Sequence, residues 1–484
     1  MKPLVKFSIE QYLETAQGAK TSSQLQYEEL LHHIKRALDK DWERTDDSLK
    51  AQRLAREKGA IIGIDRDVNE LKDKIRLILA KEGLLHESFP ACYPSLTDAV
   101  FSDLYGLGPV APWAFEWKDE YRASSSCKII GDHIYCLIDG RSELQPMTIP
   151  EQRRGQLINA LLIATPKERR EYGFHEVYLH NGIRVTIYSG ERCKPGQDII
   201  VFRKYVVKRP SLEALAELGT FPEKAVTLFK AMCAAGFNVV FSGQVRSGKT
   251  TLLQAWQACE DPSLEGVAVA TDPETRWENI LPDAPLMQLV ADGEELAKIE
   301  KSLKRSDADY VILEEMRDAA AYNLFLGITS LGTMRSKATI HDSSALNIPF
   351  KMASAISTEI GGDRESIISQ IFANVNFVFE LEQLSRDRSK KRLRRITEFT
   401  CDPAENRVFA RTLCEYEPET DSWKWASFIG KDKEQIAAQD PETLETIRKT
   451  LKELSDESPL SGADPVYPAY YKGNLAFQRK DGEI

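Results

Sequence analysis

The stretch FSGQVRSGKTTLL, from Phe241 to Leu253, decides how the rest of this chain is read. Gly243, Gly248, Lys249 and Thr250 keep the spacing G-x-x-x-x-G-K-[ST] of a loop that cradles phosphates. Before it, FNVVFSG is short and apolar, the pattern of a strand buried on both faces; after it, TTLLQAWQA reads as a helix opening at the loop. Lacking side chains, the glycines let backbone N–H groups converge on phosphate oxygens, and the helix N-terminus adds partial positive charge. On this reading Gly243, Ser247, Gly248, Lys249, Thr250 and Thr251 bind nucleotide. Lys249 bridges the β- and γ-phosphates and the Thr250 hydroxyl holds Mg²⁺, which makes ATP and Mg²⁺ the expected cofactors. A plain glycine turn between strand and helix is the simpler alternative, and the flanking elements argue against it.

A phosphate loop needs an acidic strand end to manage Mg²⁺ and water, and DYVILEEMRD supplies one. Val311, Ile312 and Leu313 predict a buried strand with Glu314 and Glu315 at its carboxyl end, where open α/β sheets bind ligands. Glu315 would coordinate Mg²⁺ through water or polarise the attacking water. Taken alone, the two glutamates read as surface residues capping the next helix.

At 484 residues the chain exceeds what one hydrophobic core serves, so two substantial domains with smaller appendages are expected. The pattern divides into a charged helical N-terminal extension (1–95), a mixed α+β domain (96–205), a linker (206–215), an α/β domain with the phosphate loop (216–400) and a C-terminal appendage (401–484). Turn signals DG and NG separate alternating strands in the second of these. The net charge of −10 repels phosphate backbones on average, so no direct nucleic-acid contact is expected. The basic run RDRSKKRLRR (386–395) is the local exception, and it reads equally well as a solvated edge hairpin. Eight cysteines without CxxC pairs argue against a zinc site and a disulfide framework and fit reduced thiols in cytoplasm. No leader-like start and no long apolar stretch is seen, so the chain is expected neither to span a membrane nor to be exported.

Beyond the phosphate loop, an ordered set of motifs resembles the traffic ATPases of type II and type IV secretion systems, and most of all the branch that powers tight-adherence (Tad/Flp) pili. LYGLGPVAPW (104–113) is similar to the entry of that branch's N-terminal domain, NGIRVTI (181–187) to its DGSRV strand and IVFRKY (200–205) to its LTIRKF strand. TDPETRWENI then stands where the family keeps an acidic box, EEMRD where it has GEVRG, and KATIHDSS where it has ATIHANS. The resemblance covers roughly residues 96–400 and implies a RecA-like P-loop domain, a hexameric ring and a clamp-like N-terminal domain. It further implies a cytoplasmic place against the inner face of the membrane, with an inner-membrane platform protein as partner.

Carried onto this sequence, the resemblance nominates Arg184 and Arg203 as arginines reaching the phosphates, with Arg317 a lesser candidate, and His341 as a γ-phosphate sensor. It also nominates Asp272 in the acidic box. Strand-edge salt bridges would explain the arginines equally well. Departures accompany the match: Thr271 takes the place of the first acid of the box, Glu314 replaces the strand glycine, and the first histidine of the His box, expected near Gly332, gives way to Thr333 or a neighbour. The implied activity is ATP hydrolysis driving secretion or pilus assembly. A hydrolysis-poor scaffold ring and a conjugation-type DNA-transfer ATPase are the alternatives.

Overall fold

The computed structural model describes residues 22–43, 47–164, 173–207, 209–271, 275–291, 293–462 and 464–481. It divides into two compact units, Met1–Val206 and Val207–Ile484. Among the described residues no helix is long and apolar enough to cross a membrane.

In the N-terminal unit, helices α1 (Ser22–Glu43), α2 (Asp47–Ile61) and α3 (Asp65–Lys81) precede α4 (Leu96–Leu104). Tyr27, Leu30, Ile34 and Leu38 recur every three or four residues along α1, as do Leu71, Ile75 and Leu79 along α3. Both stripes join one core with Val100 and Phe101 of α4 and with Ile129 and Ile134 of the sheet beyond. The Tyr27 and Tyr93 hydroxyls each donate to Asp103, at 2.9 and 2.8 Å. The described part of the segment read as an extension (1–95) thus buries apolar residues in the same core as the α+β sheet that follows, and residues 1–21 lie outside the described residues. Ile34→Ala should therefore destabilise the whole N-terminal unit by about 2–4 kcal/mol. Thermal melting would show it, whereas an unchanged Tm would detach α1 from that core.

That sheet has six strands: β1 (Ser126–Ile130), β2 (His133–Ile138), β3 (Arg141–Thr148), β4 (Phe174–Tyr178), β5 (Arg184–Tyr188) and β6 (Ile199–Arg203). Their order is β3-β2-β1-β6-β5-β4, and every pairing is antiparallel. Asp139 and Gly140 join β2 to β3 with φ of 45° and 76°, the pair of positive angles that a tight hairpin of matching twist requires. Helix α5 (Glu151–Ala164) follows β3.

The C-terminal unit is built on nine strands in the order β15-β14-β13-β12-β7-β11-β10-β8-β9. From β12 (Phe377–Gln383) through β7 (Val239–Gly243), β11 (Lys337–Ile340), β10 (Tyr310–Met316) and β8 (Gly266–Ala270) to β9 (Leu286–Val290) the strands are parallel. Alternation sorts their side chains into two layers. Val239 and Phe241 of β7 and Tyr310 and Ile312 of β10 pack with α6 (Leu212–Glu217), α7 (Ala225–Ala234) and α8 (Lys249–Gln257). Val240, Val311 and Leu313 pack on the other side with α10 (Ala319–Thr329), α11 (Ile348–Glu359) and α12 (Arg364–Asn374); α9 (Gly293–Leu303) joins that layer through Leu296. Cover on both faces explains why β7 and β8 are buried along their length and mainly apolar.

Asn238, buried just ahead of β7, fixes the central register. Its Oδ1 accepts from Ser336 N at 2.8 Å, its Nδ2 donates to the Thr333 and Asn374 carbonyls, and its own N–H donates to Asn376 Oδ1.

Two segments sit differently from the sequence reading. The residues set apart as an appendage extend the same sheet: β13 (Lys391–Asp402) runs past residue 400 and pairs antiparallel with β14 (Arg407–Glu417), which pairs with β15 (Ser422–Trp425). Two helices, α13 (Lys431–Ala437) and α14 (Pro441–Glu457), follow, and Ile447, Leu451 and Leu454 of α14 enter the core that holds α7. The basic run is a hairpin between β12 and β13, but β13 is an interior strand. Arg392 is buried and forms a two-pronged pair with Asp421 at 2.7 and 3.0 Å, whereas Arg386, Arg388, Lys390 and Arg394 are exposed, so the run is solvated but does not lie at the sheet edge.

Candidate nucleotide site

The phosphate loop leaves β7 at its carboxyl end and enters α8, with Gly248 as the helix N-cap at φ 96°. Gly243 has φ 148°, and a Cβ there would meet the Leu381 carbonyl oxygen at 2.2 Å and Ser247 Oγ at 2.6 Å. Both conditions exclude a side chain. Gly243→Ala should cost about 3 kcal/mol and distort the loop; a variant that melts with the wild type and binds nucleotide equally well would contradict this.

Lys249 is almost fully buried, with Nζ donating to the Gln244 carbonyl at 2.9 Å and lying 3.2 Å from His341 Nδ1. The other ring nitrogen, His341 Nε2, is 2.9 Å from Glu315 Oε1. A proton on Nε2 shared with the carboxylate leaves Nδ1 to accept from the lysine, so one tautomer satisfies both contacts. Arg317 donates to Glu315 Oε2 at 2.6 Å. These four side chains form one continuous polar chain from the start of α8 to the carboxyl ends of β11 and β10.

Electrostatics follows from that chain. Burial alone would raise the Glu315 pKa, but the bonds from His341 and Arg317 outweigh it and hold the carboxyl at about 2. Burial pulls the Lys249 ammonium down to about 8, against the attraction of Glu315.

The backbone of His341 is itself secured. Its carbonyl accepts from Lys351 Nζ at 2.6 Å, and the next carbonyl, of Asp342, accepts from Ser242 Oγ of β7 at 2.9 Å.

The adjacent glutamates do different work. Neither caps the following helix, because the N-cap of α10 is Asp318, whose side chain accepts from Ala321 N. Glu314 is buried and accepts from Thr275 Oγ1 at 2.7 Å and from Trp277 Nε1 at 2.6 Å. Reading it as a lost glycine missed this, since no local signal ties Trp277 to a residue 37 positions away. Lys391 of the basic run passes beside the loop, its stem 3.5 Å from where a Gly248 Cβ would stand, while its Nζ donates to the Arg388 and Ser389 carbonyls of its own hairpin.

The residues fit a bound Mg-nucleotide. Ser247 Oγ is buried without a hydrogen-bond partner in the mouth of the loop, the Gly243 cradle is closed to any Cβ, and a helix N-terminus opens at Gly248. Thr250 and Thr251 are partly buried at the start of α8, where the motif requires them. Asp272 lies outside the described residues.

Arg184 and Arg203 belong to the N-terminal unit, and the phosphate loop to the C-terminal one. They stand directly opposite each other on β5 and β6. Arg184 pairs with Glu176 of β4 at 2.5 Å, the strand-edge bridge weighed for it, and Arg203 is exposed.

The parallel sheet, the loop at the end of its central strand and the acidic end of β10 define a RecA-like P-loop nucleotide-binding protein. The model of the family described as "Type II/IV secretion system protein" matches residues 193–457, more than half of the chain, and the chain belongs to that family. An uncharacterized protein of Methanocaldococcus jannaschii is 23% identical over 253 residues, covering 49% of this chain and 90% of the relative. Among solved structures, the VirB11 ATPase from the Brucella suis type IV secretion system is similar at 19% identity and a TM-score of 0.32, over 61% of this chain and 96% of that one. The Legionella pneumophila ATPase DotB is similar at 16% identity and a TM-score of 0.43, over 76% and 96%. The pilus retraction motor PilT with bound ADP is similar at 13% identity and a TM-score of 0.42, over 70% and 91%.

Proposed function

We propose that this protein is an ATP-hydrolysing motor subunit of a secretion or pilus-assembly machine. The observation that carries the reading is the chain Lys249–His341–Glu315–Arg317, which places a cation, an imidazole and an ionised carboxylate beside the phosphate loop. Mg-ATP supplies a scissile phosphoanhydride bond. Lys249, with the amides of Gly248 and its neighbours, holds the terminal phosphates; Thr250 and Glu315 hold the metal, with Asp272 as a further acid. Glu315 orients the attacking water. His341 touches both Lys249 and Glu315, so it is placed to register the charge of the terminal phosphate and to pass the change to the Lys351–Asp342 end of β11.

Arg184 and Arg203 are the arginines that neutralise phosphate charge from the N-terminal unit. Such an arginine is worth about 10³–10⁵ in rate. The working form is a homohexameric ring on the cytoplasmic face of the inner membrane, pressing on a platform protein, of the kind that serves tight-adherence pili. Phosphate release by the purified chain, with Arg184→Ala and Arg203→Ala beside it, tests this reading. Nucleotide bound without turnover would instead favour a scaffold ring.

The lysine gives the reading a pH dependence. Phosphate restores the ammonium that burial disfavours, so binding above pH 8 requires proton uptake. The nucleotide Kd should be flat below pH 8 and rise by up to about tenfold per pH unit above it. Titration with a fluorescent ATP analogue checks this, and a flat profile through pH 9 contradicts it.

A further inference from the structure

The family glycine at position 314 is here a carboxyl group, and its surroundings are built for it. Glu314, Thr275, Trp277 and Gln254 are all buried, and they form one hydrogen-bonded cluster. Trp277 Nε1 donates to Glu314 Oε1 at 2.6 Å, Thr275 Oγ1 donates to Oε2 at 2.7 Å, and Gln254 Nε2 of the phosphate-loop helix donates to Thr275 Oγ1 at 3.2 Å. The Glu314 carbonyl accepts in turn from Thr339 Oγ1 of β11 at 2.5 Å. A glycine could make only the last of these bonds.

We propose that Glu314 is a positioning residue that ties the segment leaving β8, through Thr275 and Trp277, to the strand end that carries Glu315. Two bonds to residues two apart in sequence fix both the distance and the orientation of that segment. A single bond would leave it free to pivot. Gln254 extends the tie to α8, so the phosphate-loop helix, the segment after β8 and the acidic strand end are held as one piece. Strand alternation explains the division of labour. Glu314 faces the layer that contains Ile312 and Trp277, while its neighbour Glu315 meets His341. The proposal rests on the reading that this site hydrolyses ATP, and it assigns Glu314 no contact with nucleotide.

The test compares Glu314→Gly, Glu314→Gln and Trp277→Phe with the wild-type chain by kcat and KM for ATP hydrolysis, by Tm, and by hydrogen–deuterium exchange of residues 275–280. Glu314→Gly should lower kcat by about tenfold or more with KM changed by less than about threefold, because misplacement of the site's walls acts on the reacting geometry. Exchange should rise in residues 275–280 and not throughout the C-terminal unit. Trp277→Phe, which removes the indole donor together with part of the buried ring, should shift both readouts the same way and also lower Tm. Glu314→Gln should recover most of the rate, since its carbonyl still accepts from Trp277 and its amide can donate to Thr275 Oγ1. Wild-type kcat in the glycine variant overturns the proposal, as does a loss accompanied by exchange rising evenly across the unit. Should the wild-type chain itself show no turnover, the proposed function fails. The tie is then judged by exchange alone: a local rise supports it and an unchanged pattern overturns it.

Discussion

Lys249→Ala is expected to lower ATP hydrolysis by about 10³-fold while leaving the fold as stable as before or more so. The two effects separate because the same burial that makes the lysine useful makes it costly. With its pKa held near 8 instead of 10.5, keeping Nζ charged at neutral pH costs the folded state about 3 kcal/mol. That cost is full below pH 8 and fades as pH rises toward 10.5, because the group is then neutral in both folded and unfolded chains. Alanine removes it. What alanine also removes is the cation that meets the terminal phosphates and the donor to His341 Nδ1. Phosphate release and Tm measured on the same preparation decide the matter. Hydrolysis within about tenfold of wild type would refute the assignment, and a lost Tm would show that the lysine holds the loop together instead.

The second large effect is expected at Glu315. Replacing it with Gln keeps its volume but removes the charge that faces His341 on one side and Arg317 on the other. Turnover should fall about 10²–10³-fold, with ATP still bound, since a neutral amide cannot polarise water or hold a metal-bound water in place. Here stability should fall as well. A folded-state pKa of about 2 against the ordinary 4.5 means that the native environment favours the carboxylate by up to about 3 kcal/mol. That contribution is present above pH 4.5 and disappears as pH falls through 2. Glu315→Gln should therefore melt below wild type at pH 7, and the gap should close in acid. Wild-type turnover in this variant would move the hydrolytic role to another acid, and the segment around Asp272 would be the place to look.

The local elements of the fold are legible in the sequence. The phosphate loop identified itself because each of its positions is under a separate constraint: no Cβ fits at Gly243, Gly248 needs positive φ, and Lys249 and Thr250 carry the charge and the hydroxyl. The strand ahead of it and the helix behind it followed from apolar patterning, and so did the strand that ends in Glu314 and Glu315. The DG turn was readable for the same kind of reason, a backbone angle that few residues tolerate. Less legible was anything that depends on which distant segment comes near. Helix α1 looks like a detachable charged helix until its stripe of Tyr27, Ile34 and Leu38 is seen in the core of the α+β unit. The basic run looks like an edge hairpin until its second strand is found inside the sheet, with Arg392 locked to Asp421.

The sequence by itself determined the chemistry available to this protein: a phosphate loop, an acidic strand end and a histidine closing a small-residue strand, each dictated by local backbone or side-chain needs. Only the tertiary structure decided how those groups are joined. Lys249, Glu315 and His341 are separated by dozens of residues and meet because β7, β11 and β10 lie side by side in a parallel register. The opposite duties of Glu314 and Glu315 were likewise decided there. Identical neighbours in sequence are sent apart by strand alternation, one to a buried tie with Trp277 and the other to the charged chain beside the phosphate loop.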